Sequence, residues 1–513
     1  MTRRFVLLFF VALFSVIGLV PIAAMFLKTI YVDGHFTLGL YGALFASGRE
    51  WSLVGNSVML AFFVTVAALS AGIPLGVVLS KTDLPFKGIF TFLFTIPLLL
   101  PPYITVIAWS YLVKKEIWFF GLPGCVLILS ISFLPIVMFL TMTYLKSVNP
   151  GIEEAGKLSS GWFGVLKNIT IPAIMPGILL SAVLVFLLTL GEFSVPNFLR
   201  YKVFSNESFT QFSAFYDFNA ATVSTMLLLL IAFVILLFEA IFLHRKTQES
   251  YGMTPASDRF LIIELKSSKK WTVFLLGLAS FILIGLPFAA LVREAFNLGI
   301  LREALEKAGD SLLRSITYAG MGASILTVIG FFLGYLIYKK ALPGWHGVDM
   351  LTLFLLALPS TVTGIGLIGF WNRPATNFIY GTPAIIILGY VACYTVLTSR
   401  MTISGLSQIS SSIEEAAEIS GISWWRRVFG ILVPLMKRGL LASWLIAYIF
   451  CLRDVGVTMA VYPPGHDTLP IRIFTLMANA SSSLIAGLCL IMILSTIIPF
   501  GFFMLSIRKK GVT

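Results

Sequence analysis

A succession of long apolar segments constrains this chain more than any other feature of its sequence. A helix needs about 20 consecutive apolar residues to cross the hydrocarbon core of a membrane. Hydrophobic residues make up 58% of the 513 positions and charged residues only 12%, too few to cover a water-exposed surface. We therefore expect an all-α integral membrane protein with about 12 transmembrane helices, six in each half. The expected spans are residues 5–27, 54–80, 89–112, 122–145, 175–199, 222–243, 271–292, 316–338, 350–371, 383–402, 438–460 and 484–506.

Basic residues sort to one side of these spans. With Arg3 and Arg4 placed in the cytoplasm, about 23 lysines and arginines fall on the cytoplasmic side and about 12 on the other, as the positive-inside rule requires. The net charge of +13 is spread over many loops, so we expect membrane lipid rather than nucleic acid around this chain. Both termini are expected in the cytoplasm.

The two halves of the sequence repeat each other. A shift of about 258 to 266 residues aligns Pro21 with Pro287 and Pro101 with Pro359. Because six is an even number of spans, both copies enter the membrane in the same direction, as in transporters with parallel repeats. We expect a first repeat over residues 1–250, a cytoplasmic linker over 251–270 and a second repeat over 271–513.

Each repeat carries a polar segment rich in small residues between its fourth and fifth spans. In the later segment, Ser412 and Glu415 have the spacing of a capping box, in which the hydroxyl and the carboxylate each satisfy a free backbone N–H. In the earlier segment, Asn149 before Pro150 predicts a helix start of another kind. We therefore expect a short helix in each segment.

The later segment shows how such a helix would be built and ended. One helical face carries small groups that allow close approach of a partner; its members are Ile413, Ala416, Ala417 and Ser420. Gly421 is expected to end the helix. Beyond it, Trp424 to Arg427 predict an amphipathic turn with aromatic rings at headgroup depth and guanidinium groups outward. Pro434 is expected to open the next span.

The two segments resemble the EAA loop of ABC transporter permeases, in which Glu-Ala-Ala is followed by a glycine and later by a proline. The later copy matches at Glu415, Ala416, Ala417, Gly421 and Pro434, with Glu414 immediately before the motif. The earlier copy comprises Glu153, Glu154, Ala155 and Pro172, with Gly156 at the second alanine position and either Gly161 or Ser160 at the turn.

This resemblance covers essentially the whole chain and implies the fused membrane subunit of an importer in the bacterial inner membrane. It implies two coupling helices that dock on a separate cytoplasmic ATPase, present in two copies, and a periplasmic substrate-binding protein. The chain itself has no phosphate-binding loop and no catalytic motif, so we expect a transport subunit rather than an enzyme, and no cofactor.

Charged residues inside spans are costly and are often functional. Glu192 and the pair Arg453 and Asp454 occupy matching places near the ends of the fifth and eleventh spans, where they form either a polar lining for substrate or a structural pair. Pro101 and Pro359 interrupt the third and ninth spans, so we expect kinks there, either beside a translocation path or as ordinary packing.

Metal-binding patterns are missing from the sequence. The four cysteines (Cys125, Cys393, Cys451 and Cys489) lie in or beside apolar spans without CxxC spacing, and we expect buried thiols. The four histidines lie in loops without ligand spacing, so we expect no resident metal.

The substrate is the least constrained part of the sequence. Segments 96–109, 192–212 and 461–474 look most like those of ferric-iron permeases, and permeases for thiamine or 2-aminoethylphosphonate are close relatives of the same architecture. A trivalent cation prefers oxygen ligands, which Glu192, Asp454 and Tyr103 could provide. A transporter of another class, driven by an ion gradient, has the same hydropathy and would need buried carboxylates.

Overall fold

The structure, a computed structural model, describes residues 2–32, 35–113, 116–213, 218–238 and 261–509. Within these ranges the chain is helical apart from its connections and one short antiparallel pair of strands, Tyr31–Val32 and His35–Phe36. Nine helices are long and apolar enough to cross a membrane, and the number rises to 12 if each of three sharply bent helix pairs is one span. The predicted all-α membrane fold is confirmed.

The helices of the first half overlap the expected spans, but the third span is divided into two helices and the fifth ends at Leu190 instead of position 199. In chain order they are Thr2–Phe14, Val20–Ile30, Gly39–Ala46, Gly48–Lys81, Lys87–Leu99, Pro102–Val113, Leu122–Leu145, Pro150–Val165, Ile171–Leu190, Ser194–Phe198, Phe204–Ser213 and Phe218–Phe238.

The second half has a similar order of helices. They are Lys269–Ser280, Leu286–Ala295, Leu298–Tyr338, Trp345–Ala357, Ser360–Trp371, Asn377–Tyr380, Ala384–Ser407, Ser411–Ile419, Trp424–Arg427, Val433–Leu435, Lys437–Leu452, Gly456–Val461, Leu469–Leu476 and Ser482–Lys509.

Four π-helical turns lie directly before prolines. They are Ser15–Leu19, Leu166–Thr170, Phe281–Gly285 and Val428–Leu432, and each is followed by a helix with proline at its second position. Proline has no N–H to donate and its ring crowds the carbonyl of the preceding turn, so the helix widens locally. Pro172 and Pro434 are two of these prolines.

The third span of each repeat is broken rather than kinked. The arms Lys87–Leu99 and Pro102–Val113 meet at 102°, and Trp345–Ala357 and Ser360–Trp371 meet at 106°. The residue before a proline avoids helical geometry, and Leu100 and Leu358 are accordingly extended ahead of Pro101 and Pro359. The first two turns of the second arm are buried in both repeats. The predicted interruptions at Pro101 and Pro359 are therefore present, and each is a sharp bend between two separate helices.

The chain forms two compact units that differ from the sequence repeats. Unit I comprises Met1–Ser47, Glu207–Met226 and Asn297–Thr513, and unit II comprises Gly48–Asn206 and Leu227–Phe296. Unit I consists mainly of the second repeat but includes the first helices of the first repeat. Unit II consists mainly of the first repeat but includes the first helices of the second repeat. The predicted linker, 251–270, lies outside the described residues up to position 260; from Lys266 onward it is already helical.

A pair of glycines brings the second and fourth spans of each repeat together. In unit II, a Cβ on Gly72 would lie 2.7 Å from Val137, and one on Gly76 would lie 2.8 Å from Thr141. In unit I, a Cβ on Gly334 would lie 2.6 Å from the carbonyl oxygen of Ser399. Small residues four positions apart are the usual means of close helix packing in membranes.

Candidate functional site

The first EAA-type segment begins as the sequence predicts. The Asn149 side chain accepts a hydrogen bond from the Gly151 N–H at 2.9 Å, and Pro150 is the first helical residue. The helix Pro150–Val165 is interrupted at Gly161, where φ is 63° and ψ is −178°. This backbone geometry is accessible essentially only to glycine. Gly161, and not Ser160, is therefore the turn residue.

The second segment starts differently from the prediction. Its helix Ser411–Ile419 is preceded by Ser410, whose side chain makes no capping bond; the hydroxyls of Ser410 and Ser412 pair with each other at 2.6 Å. The predicted capping box of Ser412 and Glu415 is wrong, because the helix begins ahead of Ser412.

The end of that helix matches the prediction. Gly421 has φ of 74°, its N–H donates to the Glu418 carbonyl at 3.0 Å, and the Ile422 N–H donates to the Ala417 carbonyl at 3.1 Å. These two bonds form the Schellman motif that commonly ends helices at a left-handed glycine.

A buried ion pair anchors the first segment. Glu153 is 1% exposed, and its Oε2 lies 2.5 Å from the Nζ of Lys81, the last residue of helix Gly48–Lys81. Its other oxygen accepts a hydrogen bond from the Thr170 hydroxyl at 2.8 Å. A buried carboxylate needs a counter-charge and hydrogen bonds for both oxygens, and Glu153 has them.

The second segment repeats this arrangement with different partners. Glu414 Oε2 lies 2.7 Å from the Nζ of Lys339, which directly follows helix Leu298–Tyr338. Glu414 Oε1 accepts a hydrogen bond from the Tyr335 hydroxyl at 2.9 Å, and the Trp424 indole donates to that hydroxyl at 3.3 Å.

Neither lysine was among the residues predicted for the site. Their signal in the sequence was the repeat itself, because Lys81 and Lys339 are 258 positions apart and both stand at the end of a second span. Sequence alone could not show which glutamate of each Glu-Glu pair faces inward.

The second glutamate and the first alanine of each motif face outward. Glu154, Ala155, Glu415 and Ala416 are all exposed. The next small residue turns inward in both copies: Ala417 is buried, and the absent Cβ of Gly156 leaves room for the Ile169 side chain. The prediction that Ala417 shares an open face with Ile413 and Ala416 is therefore wrong.

Each segment also exposes a large apolar side chain at an equivalent position. Leu158 is 92% exposed and Ile419, 261 positions later, is 87% exposed. Their equivalent placement in the two repeats makes these side chains candidates for contact with a partner protein.

The short helix Trp424–Arg427 is only half as predicted. Trp425 and Arg426 are exposed, but Trp424 and Arg427 are buried. Arg427 NH1 lies 2.5 Å from Glu418 Oε2, and the Arg427 guanidinium holds the pKa of that carboxyl below its usual range. The helix Trp424–Arg427 is therefore joined to helix Ser411–Ile419 by this ion pair, and to the second span by the hydrogen bond from Trp424 to Tyr335.

The two carboxylates predicted near the translocation path each lie at the start of a short helix. Glu192 accepts hydrogen bonds from the N–H of Ser194 at 2.9 Å and from the Ser194 hydroxyl. Ser194 is the first residue of helix Ser194–Phe198. Asp454 accepts bonds from the Thr458 N–H at 2.8 Å and from the Tyr394 hydroxyl at 2.6 Å. Both arrangements stabilise local structure, and a role in transport stays a prediction.

The remaining predicted path residues occupy different surroundings. The Arg453 guanidinium lies over the Phe450 ring, 4.1 Å from its centroid. Tyr103 is 1% exposed and stacks near Phe198, with 6.3 Å between ring centroids. Pro101 and Pro359 lie at the breaks in the third spans described above. All four cysteines are free and buried, as predicted.

Comparison with known protein families identifies the class. The family described as binding-protein-dependent transport system inner membrane component matches this chain twice, at residues 68–247 and 298–510. The chain belongs to this family of ABC importer permeases and is a multi-pass membrane protein. Membership decides against the alternative of an ion-coupled secondary transporter.

Similar proteins are named as ferric transport permeases. The ferric transport system permease protein FbpB of Actinobacillus pleuropneumoniae is 24% identical over 486 residues, covering 87% of this chain and 70% of that protein. The Fe(3+)-transport system permease protein FbpB 2 of Haemophilus influenzae is 25% identical over 504 residues, covering 95% and 96%. A putative 2-aminoethylphosphonate transport system permease protein of Salmonella typhimurium is 26% identical over 207 residues, covering 40% and 77%.

Proposed function

We propose that this chain is the permease of an ABC importer for ferric iron. The observation that carries the substrate is the similarity to a ferric permease along nearly the full length of both chains, 95% of this one and 96% of the relative. The phosphonate permease aligns with only 40% of this chain. Iron is the cargo here, and tight binding belongs to the soluble binding protein.

A separate ATPase, in two copies, supplies the energy. Its docking sites are the two EAA-type segments, because each is anchored by a buried glutamate and exposes one large apolar side chain, Leu158 or Ile419. Glu154 and Glu415 flank these side chains as outward charges. An apolar anchor with a charged rim is the usual composition of a protein interface.

The two ion pairs that hold the EAA-type segments connect movement of the ATPase to the membrane spans. When the ATPase pair closes, it displaces both docked segments. The Glu153–Lys81 pair then pulls on the end of helix Gly48–Lys81, and Glu414–Lys339 pulls on the end of Leu298–Tyr338. The Glu153–Lys81 pair resists such displacement because it is buried, and separating its charges leaves each one uncompensated; the Glu414–Lys339 pair is partly exposed.

The sides of the membrane follow from the charge distribution. Both termini and both EAA-type segments lie in the cytoplasm, and the periplasmic binding protein delivers iron to the opposite face of the inner membrane. The excess of lysine and arginine on one side supports this orientation. A reporter enzyme that is active only in the cytoplasm should be active when fused after Thr513. An inactive fusion, together with activity of a periplasm-specific reporter at the same position, would overturn the orientation.

Two permease halves fused in one chain fit the double match to the family. The halves are residues 1–250 and 271–513, joined by the linker 251–270, and each half contains one family match. The substrate path itself would lie near the polar residues Glu192, Arg453 and Asp454.

A second candidate substrate is 2-aminoethylphosphonate, because a permease named for it aligns with part of this chain. Uptake decides between them. Cells that carry or lack this gene should be supplied with labelled ferric iron, 2-aminoethylphosphonate or thiamine under limitation for each. Iron uptake that falls on deletion supports the proposal. Iron uptake unchanged by deletion, in a strain without another iron importer, would refute it.

A further inference from the structure

In unit II, the segment that leads into helix Lys269–Ser280 pairs with the loop that follows the anchoring lysine. The Ile263 N–H donates to the Lys81 carbonyl at 2.7 Å, and the Asp83 N–H donates to the Ile263 carbonyl at 3.2 Å. Thr82 and Ile263 form a parallel β-bridge. The backbone of Lys81 is thus hydrogen-bonded to Ile263, while its side chain forms the ion pair with Glu153.

A carboxylate extends this contact to the first turn of the following helix. Asp83 accepts hydrogen bonds from the Leu265 N–H and from the Lys269 ammonium, both at 2.9 Å. The Leu265 N–H and Lys269 together hold the pKa of Asp83 below its usual range. Apolar packing reinforces the contact, since Leu265 joins a buried cluster with Leu79 and Leu84.

Unit I has an equivalent contact with different chemistry. The Arg3 guanidinium lies over the Tyr335 ring, 5.4 Å from its centroid, and the Tyr335 hydroxyl donates to Glu414. Phe10, on the same first helix, stacks on Phe332 with 4.3 Å between ring centroids.

The two contacts are related by the sequence repeat. Arg3 and Lys269 are 266 positions apart, the same shift that relates Pro21 to Pro287 in these first helices. In unit I the cation Arg3 contacts Tyr335, which itself donates to Glu414. In unit II the cation Lys269 contacts Asp83, two positions after the lysine that pairs with Glu153.

We propose that the start of each first helix is a brace for the EAA-type segment of its unit, and that Lys269 with Asp83, and Arg3 with Tyr335, are positioning residues for coupling to the ATPase. The brace rests on the proposed function. It limits movement of the anchoring groups, so that displacement of the docked segment moves the span instead of bending the loop. The exchange of first helices then serves coupling as well as packing.

The test uses the full chain assembled with its ATPase and binding protein in proteoliposomes. Two quantities are measured: ATP hydrolysed, and iron imported per ATP. Asp83→Ala and Lys269→Ala should leave basal ATP hydrolysis intact and lower iron imported per ATP about two- to fivefold, the range set by loss of one exposed ion pair. Lys269→Arg keeps a cation at this position and should import as much iron per ATP as the unmodified chain.

Controls separate the brace from general damage. Glu306→Ala removes the exposed pair of Glu306 with Arg302 and should leave the ratio unchanged. If an alanine variant does not assemble, the charge exchange Asp83→Lys with Lys269→Asp replaces it and should keep coupling. Wild-type ratios in both Asp83→Ala and Lys269→Ala would overturn the brace. Absence of ATP-driven import by the unmodified chain would instead overturn the proposed function.

Discussion

Lys81 and Glu153 form an ion pair of 2.5 Å in which both side chains are 2% exposed. The pair joins the end of a membrane span to the first turn of an EAA-type segment, 72 positions away in the chain. Lys339 and Glu414 repeat the contact at 2.7 Å in the other repeat. A charge pair present twice in one chain, at equivalent positions, indicates a functional constraint on how the segment is held.

Removal of one member of this pair should destabilise the protein strongly. Lys81→Met leaves the Glu153 carboxylate buried without its counter-charge, which costs about 3–5 kcal/mol. Thermal unfolding in detergent measures the loss. The matched control is Glu154→Gln, one position along and exposed, for which we expect a change within about 0.5 kcal/mol. Equal melting temperatures for the two variants would show that the ion pair contributes nothing.

The turn in the first segment should tolerate only glycine. Gly161→Ala places a side chain at φ of 63° and ψ of −178°, which costs about 1–3 kcal/mol, and ATP-driven uptake should fall with the altered turn. Gly277→Ala is the control, because Gly277 lies inside helix Lys269–Ser280 with open space around its Cα. If Gly161→Ala unfolds and transports like Gly277→Ala, the turn geometry is not required.

Charge reversal at Glu415 should separate hydrolysis from transport. The side chain is exposed, so Glu415→Lys should fold normally and reach the membrane. We expect the variant to lose ATP-coupled uptake, because the positive charge changes the surface offered to the ATPase. Glu303→Lys reverses an exposed charge elsewhere and should transport normally. Normal uptake in Glu415→Lys would remove this residue from the docking surface.

Asp454 should matter first for stability. Asp454→Leu leaves the Thr458 N–H and the Tyr394 hydroxyl without an acceptor, which costs about 1–3 kcal/mol for each buried donor. Asp454→Asn keeps an acceptor and should lose much less. If both variants melt like the unmodified protein while iron uptake disappears in each, the carboxylate serves the substrate path rather than the fold.

The brace in unit II should depend on pH only under acid conditions. The pKa of Asp83 is lower in the folded protein than in the unfolded chain, so its contribution is present above the ordinary aspartate pKa of about 3.9 and is lost as pH falls through the lower, folded value. Hydrogen exchange of peptides covering 261–270, corrected for intrinsic rates, should be constant at neutral pH and rise in acid. Asp83→Asn should abolish this rise, and a rise beginning near neutrality would contradict the assignment.

The membrane fold, the repeat and the EAA-type segments could all be predicted, because each depends on local patterns. The apolar span Leu122–Leu145 coincides with its expected range, and Gly421 ends its helix as the residue type requires. What the sequence could not give depends on contacts between distant positions. Examples are the inward direction of Glu153, its ion pair with Lys81, and the packing of each repeat's first helices in the unit formed mainly by the other repeat.

The broken third spans show the same limit. Pro101 and Pro359 predict an interruption, because proline disrupts a helix locally. The bend of 102° or 106° is set by packing of the second arm, which local sequence does not reveal. In unit II that arm packs against helix Leu286–Ala295, and in unit I it packs against Val20–Ile30, each a first helix from the other repeat.

Cross-linking tests the central claim, that the two EAA-type segments dock on an ATPase, most directly. The native cysteines are all buried, so a single cysteine introduced at Leu158 or Ile419 can carry a photo-activated cross-linker in membranes that contain the complete transporter. We predict cross-links to the ATPase from both positions and none from Leu298, which is 86% exposed and lies on the periplasmic side in the proposed orientation. Cross-links absent at both 158 and 419 in a transporting complex, or present at 298, would contradict the account.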